Sequence, residues 1–331
     1  MNAITAKLSV QTGIAARFPL ACLYTWVAGT FPWLPIKPRE AGAVKTADAQ
    51  LGEFNRIEDK LLLSNDDAEF LARETEGRMK PSYLHPETKF TLIASWYLDG
   101  PELNFFQHHF QKAPKRYKLR IRRYAPDGIW NDAAPLLELK SKEDGISKKK
   151  RFNLTGEAYE DLMKGRTVTM TAGLQAVNQK IAPEKLARRV KKINSLISEF
   201  ALRPVLKVTY KRYAYEADDF RLTMDRNLEI EDLGFDVPAV VKKRLSASEI
   251  WPEAQRLGAK YDRSRHCVVE LKHHGTLPAW VEAFIYARKL QKASFSKYCW
   301  CIHEVSGCAE KAAERGVIAG RRPMFAPAYA K

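Results

Sequence analysis

The sequence predicts an α+β fold, an antiparallel β-barrel of about eight strands with flanking helices. From Leu51 onward, short runs rich in β-branched and aromatic residues recur along the chain. These runs follow one another as hairpins with only occasional helices between them, which favours an antiparallel barrel over βαβ units. The chain has 331 residues, 45% of them hydrophobic. A core of real size can form, so wholesale disorder and fibrous classes are excluded.

The elements are expected in a definite order. Strands are predicted at 54–63, 91–98, 118–124, 135–142, 205–214, 220–230, 267–273 and 296–302. Ser64 is expected to cap a helix that runs to about Arg78, and Thr155 to cap a short one. Pro183 begins a long amphipathic helix with a basic outer face, and Pro278 begins the last helix.

Three regions are distinguished along the chain: an N-terminal extension, 1–50, the folded domain, 51–305, and a C-terminal tail, 306–331. Residues 18–36 carry no charge, but three prolines break any continuous helix there. A weak anchor, an interfacial segment and an upstream extension with no folded role are all favoured over a membrane span. The five cysteines are an odd number and a poor disulfide framework, which suits a reducing compartment. We therefore expect a cytoplasmic protein, with weak membrane association through residues 18–36 left open.

The net charge of +16 indicates an anionic partner. Nucleic acid, an acidic membrane surface and a polyphosphate-bearing small molecule all fit such a charge. Nucleic acid ranks last, because the bases are spread over many strands and no helix-turn-helix, RNP or zinc-finger pattern is present.

Charged side chains recur at strand spacing in six of the predicted strands. Residues at i and i+2 of a strand point to the same face, so each set projects as a unit. Three strands place a glutamate two residues before a lysine, and three more carry bases: Glu58 and Lys60, Glu138 and Lys140, Glu270 and Lys272, then Lys118 with Arg120 and Arg122, Tyr210 with Arg212, and Arg221 with Asp225.

Two interpretations of this pattern are open. A solvated outer face explains any one such strand, whereas six strands together favour a charged barrel interior with the apolar residues packed outward against helices. An interior rich in bases repels itself unless a polyanion and a divalent cation occupy it. Arginine and lysine bind phosphate oxygens, and glutamates are hard ligands for Mg²⁺ or Mn²⁺. The pattern therefore favours a site for a triphosphate.

Seven segments, in this order, resemble the VTC domain of the vacuolar transporter chaperone polyphosphate polymerases, within the CYTH-like triphosphate tunnel superfamily. They are FNRIEDKLLL, SWYLDGPELNFF, KLRIRRY, LLELK with KKRF, YKRYAY with RLTMD, VVELKHHGTLPAWV and FSKY. The resemblance covers about residues 51–303. It implies a tunnel of about eight antiparallel strands and transfer of the γ-phosphate of ATP onto polyphosphate, with pyrophosphate as a candidate primer and Mn²⁺ or Mg²⁺ as cofactor.

The resemblance also implies roles for individual residues. Those expected to act on the phosphates in catalysis are Lys60, Arg120, Arg122, Lys140, Arg212, Arg221 and Lys297. Those expected to bind or guide substrate are Tyr210, Lys149, Arg151 and Ser296. Glu270 resembles the metal-binding glutamate of the family, with Glu58 and Glu138 as helpers.

One departure and two other function classes accompany this interpretation. The eukaryotic polymerase pattern has a lysine immediately before the Phe of FSKY, where this chain has Ser294, with Lys292 two residues earlier. The alternatives are a different tunnel enzyme (an inorganic triphosphatase or a nucleotidyl cyclase) and a non-catalytic polyphosphate-binding module.

Overall fold

The computed structural model describes residues 56–82, 89–125, 130, 134–143, 146–234, 238, 266–293, 295–302 and 304–305. The strands are β1 Arg56–Ser64, β2 Lys80–Pro81, β3 Thr91–Asp99, β4 Lys115–Ala125, β5 Leu136–Glu143, β6 Ile146–Asn153, β7 Arg203–Ala217, β8 Phe220–Asp232 and β9 His266–His274. The helices are α1 Asn65–Glu76, α2 Asn104–Phe110, α3 Gly156–Met163, α4 Ala172–Ala176, α5 Pro183–Phe200 and α6 Ala279–Ala287. The predicted extension, 1–50, and tail, 306–331, lie outside the described residues.

The strands form one antiparallel sheet in the order β1-β9-β8-β7-β3-β4-β5-β6, and the short β2 pairs with β7. Within the described ranges, β1 and β6 do not pair, so the hydrogen-bonded path has two ends. The predicted antiparallel fold with flanking helices is confirmed, in the form of a curled half-barrel.

The sheet curls strongly enough to bring distant strands together. If the sheet were flat, β1 and β4 would lie about 24 Å apart, at about 4.8 Å for each step between neighbouring strands. Instead, two consecutive residues contact both strands. Lys60 of β1 donates from Nζ to the carbonyl of Phe295 at 3.0 Å, and Lys118 of β4 donates to the hydroxyl of Ser296 at 2.9 Å. The inner faces of β1 and β4 therefore face each other across the space that the curled sheet surrounds.

The outer face of the sheet is apolar and is covered by helices. At one end, Leu61 and Leu271 are buried against Leu71 of α1 and Phe284 of α6. At the other end, the outward residues of β4 and β5 pack against α3 and α5. Burial of this apolar surface supplies the main favourable term for folding and leaves the charged residues to face inward. The barrel interpretation of the charge pattern predicts this division of the two faces.

The strand predicted at 296–302 is wrong: residues 297–302 are helical. The Ser296 carbonyl accepts from the Trp300 amide at 2.9 Å, and its side chain accepts from the Cys299 amide at 3.4 Å. Residues 298–302 are all buried, on every side of the helix, within the curl of the sheet. A short, continuously apolar run does not distinguish a buried strand from a buried helix by its period, and the β-prone side chains here favoured the wrong choice.

Other elements were missed at the sequence level. No strand was predicted between 142 and 205, but β6 lies there and contains the basic residues 148–151. Helix α2 is held by Asp99, whose carboxylate accepts from the amides of Phe105 and Phe106 at 2.9 and 3.0 Å. The same carboxylate accepts a hydrogen bond from the hydroxyl of Tyr298. This contact fixes helix 297–302 to the end of β3. Burial raises the pKa of Asp99 to about 6.

Candidate functional site

Strand register places the charged side chains side by side on the inner face. Residues directly opposite each other in an antiparallel pair point to the same face. Followed across the sheet, the register links one continuous series: Glu58 to Lys272 to Arg221, Lys60 to Glu270 to Thr223, Asp225 to Arg212, Ser95 to Arg122, Tyr97 to Arg120 to Glu138 to Arg151, and Lys118 to Lys140 to Lys149. Cations outnumber carboxylates on this face.

Arg212, Asp225 and Lys297 form a buried charge cluster at the centre. Asp225 is fully buried and accepts two hydrogen bonds from Arg212, at 2.6 and 2.7 Å. Lys297 places Nζ 2.5 Å from Oδ2 of the same carboxylate, the oxygen that also accepts from Nη2 of Arg212. Burial works to raise the pKa of Asp225, but Arg212 and Lys297 outweigh it and hold that pKa below its usual value. One carboxylate therefore keeps two predicted phosphate ligands in place.

Glu270 and Glu58 lie beside this cluster, on β9 and β1. Glu270 is 3.5 Å from Lys297 and 3.9 Å from Lys60. Glu58 is 3.2 Å from Lys60 and 3.4 Å from Lys272. Burial raises the pKa of both carboxylates, but the surrounding cations, led by Lys297 for Glu270 and Lys60 for Glu58, hold the two values below normal. Both groups are therefore ionised at neutral pH.

Glu138 occupies a different part of the wall. Its carboxylate, 1% exposed, accepts from Arg120, and the other oxygen is 2.8 Å from Lys149. Burial works to raise the pKa of Glu138, but Arg120 and Arg122 lower it far below normal. Glu138 was expected to help Glu270 bind a metal, and that role stays a prediction; in the structure its carboxylate neutralises and positions two cations, of β4 and β6.

Among the described residues, three inward cations of β4 and β5 form no direct ion pair, although Glu138 acts on Arg122, and Glu58, Glu270 and Glu138 act on Lys140, from farther away. Arg122 is 6% exposed and donates only to the hydroxyls of Ser95 and Tyr124, at 3.4 and 3.1 Å. Lys118 donates to Ser296 at 2.9 Å, and burial lowers its pKa. Burial, followed by the charge of Arg120, lowers the pKa of Lys140 to about 8. Within the described part of the chain, no acid lies within ion-pair distance of these three groups.

The remaining predicted residues lie at the rim or in the wall. Tyr210 is buried between the side chains of Arg212 and Lys297, whose charges lie 5.5 and 5.3 Å from its ring centre. Although burial works to raise it, Arg122 and Arg212 hold the pKa of Tyr210 below normal. Arg221 lies at one rim, 3.1 Å from Glu216. Lys149 and Arg151 lie on the inner face of the end strand β6. The predicted residues therefore share one enclosed face.

The carboxylates fit a divalent cation only in combination with a ligand. In the described residues, no group of three or more His, Cys, Asp or Glu side chains is arranged to hold a metal. Glu58 and Glu270 both contact Lys60, so they form a two-carboxylate set with oxygen donors only. Mg²⁺ and Mn²⁺ are commonly held by one or two carboxylates together with substrate phosphates. The donor set fits that arrangement, with phosphate oxygens and water completing it.

Sequence reasoning did not select several inward residues. Lys118, Lys272 and Asp225 belong to the same i, i+2 sets as the selected residues, so strand parity alone could have added them. Tyr97 was not selected either. It lies on the inner face, stacks on Tyr298 at 5.0 Å and meets Arg120 at 3.4 Å.

The family lysine missing before Phe295 is not replaced by Lys292. Lys292 contacts Asp59 at 2.7 Å, and Asp59 pairs in register with the outward-facing Leu271. Lys292 therefore binds outside the charged interior. Ser294 lies outside the described residues.

The family model of the VTC domain matches residues 55–305. The chain belongs to the VTC domain family. Membership and the cation-rich curled interior together make it a tunnel protein related to polyphosphate and to phosphoryl chemistry. A search of curated proteins gave no match.

Two solved structures are similar in fold. A candidate adenylate cyclase from Bacillus halodurans has 12% sequence identity and a TM-score of 0.41, with 73% of this chain and 96% of that chain covered. A candidate adenylate cyclase from Vibrio parahaemolyticus has 10% identity and a TM-score of 0.34, with 73% and 95% covered. Among the described residues of this VTC-domain protein, no helix is long and apolar enough to cross a membrane. Residues 18–36 lie outside that search.

Proposed function

We propose that this protein is a polyphosphate polymerase that transfers the γ-phosphate of ATP to a growing polyphosphate chain inside the curled sheet. The observation that carries the proposal is the set of inward cations Arg122, Lys118 and Lys140, which form no direct ion pair among the described residues and line the wall of the curled sheet. A buried guanidinium without a carboxylate is costly in the free protein. A polyanion in the interior offsets that cost, so ligand binding and the stability of the wall support each other.

The interior cations divide the work of binding. Arg120 and Arg212 are each fixed by a buried carboxylate, so their planar forks are oriented before substrate arrives. Such preorganisation lowers the entropic cost of binding phosphate oxygens. Lys60 and Lys140 approach from opposite walls, because the curl places β1 across from β5. A chain of phosphates between them meets positive charge on both sides.

Glu58 and Glu270 would hold Mg²⁺ or Mn²⁺ against the phosphates, since both remain ionised and both lie beside Lys60. When bound there, the ion would supply charge neutralisation to the phosphates. The nearby Lys297 shares that electrostatic role from the protein side.

The chemical step needs alignment and little proton transfer. A terminal phosphate oxygen of the acceptor forms a bond to the γ-phosphorus, the bond from that phosphorus to the bridging oxygen breaks, and ADP leaves. Because the acceptor oxygen is already ionised, no general base is required, whereas water as acceptor needs one. Charge spreads over the equatorial oxygens in the transition state, and fixed arginines in an enclosed site stabilise it more strongly than water does.

The partners in this proposal are ATP and polyphosphate, with pyrophosphate as a candidate primer and no nucleic acid. Lys149 and Arg151 lie on the inner face of the end strand, where a growing chain would pass. We assign them to guiding the chain.

The test is incubation of the purified full chain with ATP, pyrophosphate and Mn²⁺ or Mg²⁺. We expect ADP and long polyphosphate in wild type. Arg120→Ala and Glu270→Ala should each lower polymer formation by about 100-fold or more, as is typical when a preorganised electrostatic group is removed. Arg166→Ala is the control, because Arg166 is 60% exposed, lies outside the curled interior and pairs with Asp161 of α3. Circular dichroism verifies that each variant is folded.

The products separate the alternatives. Orthophosphate without polymer would indicate a tunnel triphosphatase, and cyclic nucleotide would indicate a cyclase. Retention of polyphosphate without ATP consumption would indicate a binding module. Normal polymer formation by both variants would overturn the assignment of the site.

A further inference from the structure

A second basic surface lies outside the curled sheet, around its β6 end. Strand β6 is the end of the hydrogen-bonded path and pairs only with β5 among the described elements. Its basic residues point to both faces: Lys149 and Arg151 inward, Lys148 and Lys150 outward. Positive charge therefore continues around this edge from the interior to the exterior.

Helix α5 extends this charge along the outside. Lys185, Arg188, Arg189 and Lys192 lie at i, i+3, i+4 and i+7, which places them on one side of the helix. The apolar residues of α5 are buried against the sheet, so the helix is fixed and its basic side stays at the surface. We call the six outer cations Lys148, Lys150, Lys185, Arg188, Arg189 and Lys192 the β6–α5 basic ridge.

Two contacts join the helix to the strand edge. Arg189 donates from Nη1 to the carbonyl of Arg151 at 2.6 Å. The Nζ of Lys192 lies 5.3 Å from the ring centre of Tyr117. Tyr117 of β4 pairs in register with Ser141 of β5, which in turn pairs with Lys148 of β6. The ridge is therefore anchored to the backbone of the same strand that carries two of the inner cations.

Nearby carboxylates among the described residues do not balance the positive charge of the ridge. Across the residues that the structure describes, no carboxylate lies within 4 Å of Lys148, Lys150, Lys185 or Arg188. Burial, and then the adjacent charge of Arg151, lowers the pKa of Arg189. Clustered like charges held this close repel one another unless an anion lies among them.

We propose that the β6–α5 basic ridge binds the part of a polyphosphate chain that extends beyond the curled sheet around the β6 edge. The inference rests on the proposed function, because it takes polyphosphate as the ligand of the interior. Lys149 and Arg151 connect the interior to the ridge, so one chain can contact both. The ridge gives long chains an affinity that short chains do not have.

The chemistry of the ridge favours polyphosphate over nucleic acid. Proteins that hold single-stranded nucleic acid combine basic residues with exposed aromatic rings on which bases stack. The aromatic side chains at the ridge, Tyr117 and Phe152, are only 8% and 1% exposed, and Lys192 covers the first. The surface offers cations alone, which suits a ligand made only of phosphates.

The test compares binding of long polyphosphate and of tripolyphosphate to the full chain at several NaCl concentrations. The ridge variant is Lys185→Gln with Arg188→Gln, two exposed residues outside the interior. The matched control is Arg73→Gln with Lys289→Gln, which removes one exposed arginine and one exposed lysine near α1 and α6. We expect the ridge variant to bind long chains about three- to tenfold more weakly, with a shallower salt dependence. Its tripolyphosphate affinity and the binding by the control should match wild type.

The outcomes distinguish failure of this inference from failure of the proposed function. Equal long-chain affinity in the ridge variant and in wild type would overturn the ridge, whether or not the protein polymerises ATP. Loss of single-stranded RNA binding without loss of long-chain binding would also overturn it, in favour of a nucleic-acid surface. An absence of polymerase activity, with the expected binding difference intact, would refute only the proposed enzyme.

Discussion

Asp225 neutralises two interior cations at once, so its replacement gives a large and specific effect. Asp225→Asn keeps the size of the side chain but removes the carboxylate closest to Arg212 and Lys297, and leaves both with their longer contacts to Glu270, at 4.0 and 3.5 Å. Breaking a buried ion pair from one side costs about 3–5 kcal/mol. At a typical urea dependence of about 2–3 kcal/mol/M, the unfolding midpoint should fall by about 1–2 M.

Urea unfolding followed by circular dichroism measures this effect, with Asp161→Asn as the matched control. Asp161 pairs with Arg166 at 2.8 Å, but Arg166 is 60% exposed, so the control should lose less than about 1 kcal/mol. Tripolyphosphate should raise the midpoint of Asp225→Asn more than that of wild type, because the anion replaces the missing charge. Equal midpoints for the two variants, or an equal response to tripolyphosphate in wild type and Asp225→Asn, would refute the role given to this cluster.

Two further predictions concern the wall and the core. Lys140 has a pKa of about 8, so its charge is present below that pH and is lost as the pH rises through it. Tripolyphosphate affinity, measured by calorimetry from pH 7 to 9.5, should therefore fall more steeply in wild type than in Lys140→Arg, which stays charged; parallel profiles would contradict this. Leu271 is fully buried on the outer face, so Leu271→Ala should lower the free energy of unfolding by about 2–5 kcal/mol while tripolyphosphate affinity stays unchanged. A loss of affinity in that folded variant would show that the two faces are not independent.

Much of the fold could be predicted because the relevant signals are local. The caps at Ser64 and Thr155 were predicted from residue type, and each side chain accepts from the amide three residues later. Strand parity placed Arg120 and Arg122 on one face with Leu119 and Ile121 on the other, and the structure buries both apolar residues under helices.

What local signals could not predict, the strand at 296–302 and the ion pairs of Glu138, depends on contacts between distant parts of the chain. The strand predicted at 296–302 does not form. The curled sheet encloses this segment on all sides, and full burial removes the alternation of apolar and polar residues that separates a strand from a helix. Glu138 has the same sequence spacing to its lysine as Glu58 and Glu270 have to theirs. Its neighbours in space, Arg120 and Lys149, come from the strands on either side of β5.

The sequence by itself determined which side chains share a face, because the two-residue period is a property of each strand's own backbone. It also determined that the shared faces carry an excess of positive charge. Only the tertiary structure decided which carboxylate neutralises which cation, because partners are set by register and curl between strands distant in sequence. Among the described residues, that long-range pairing left Arg122, Lys118 and Lys140 without a direct ion pair, and no local pattern distinguishes them from Arg120 or Arg212.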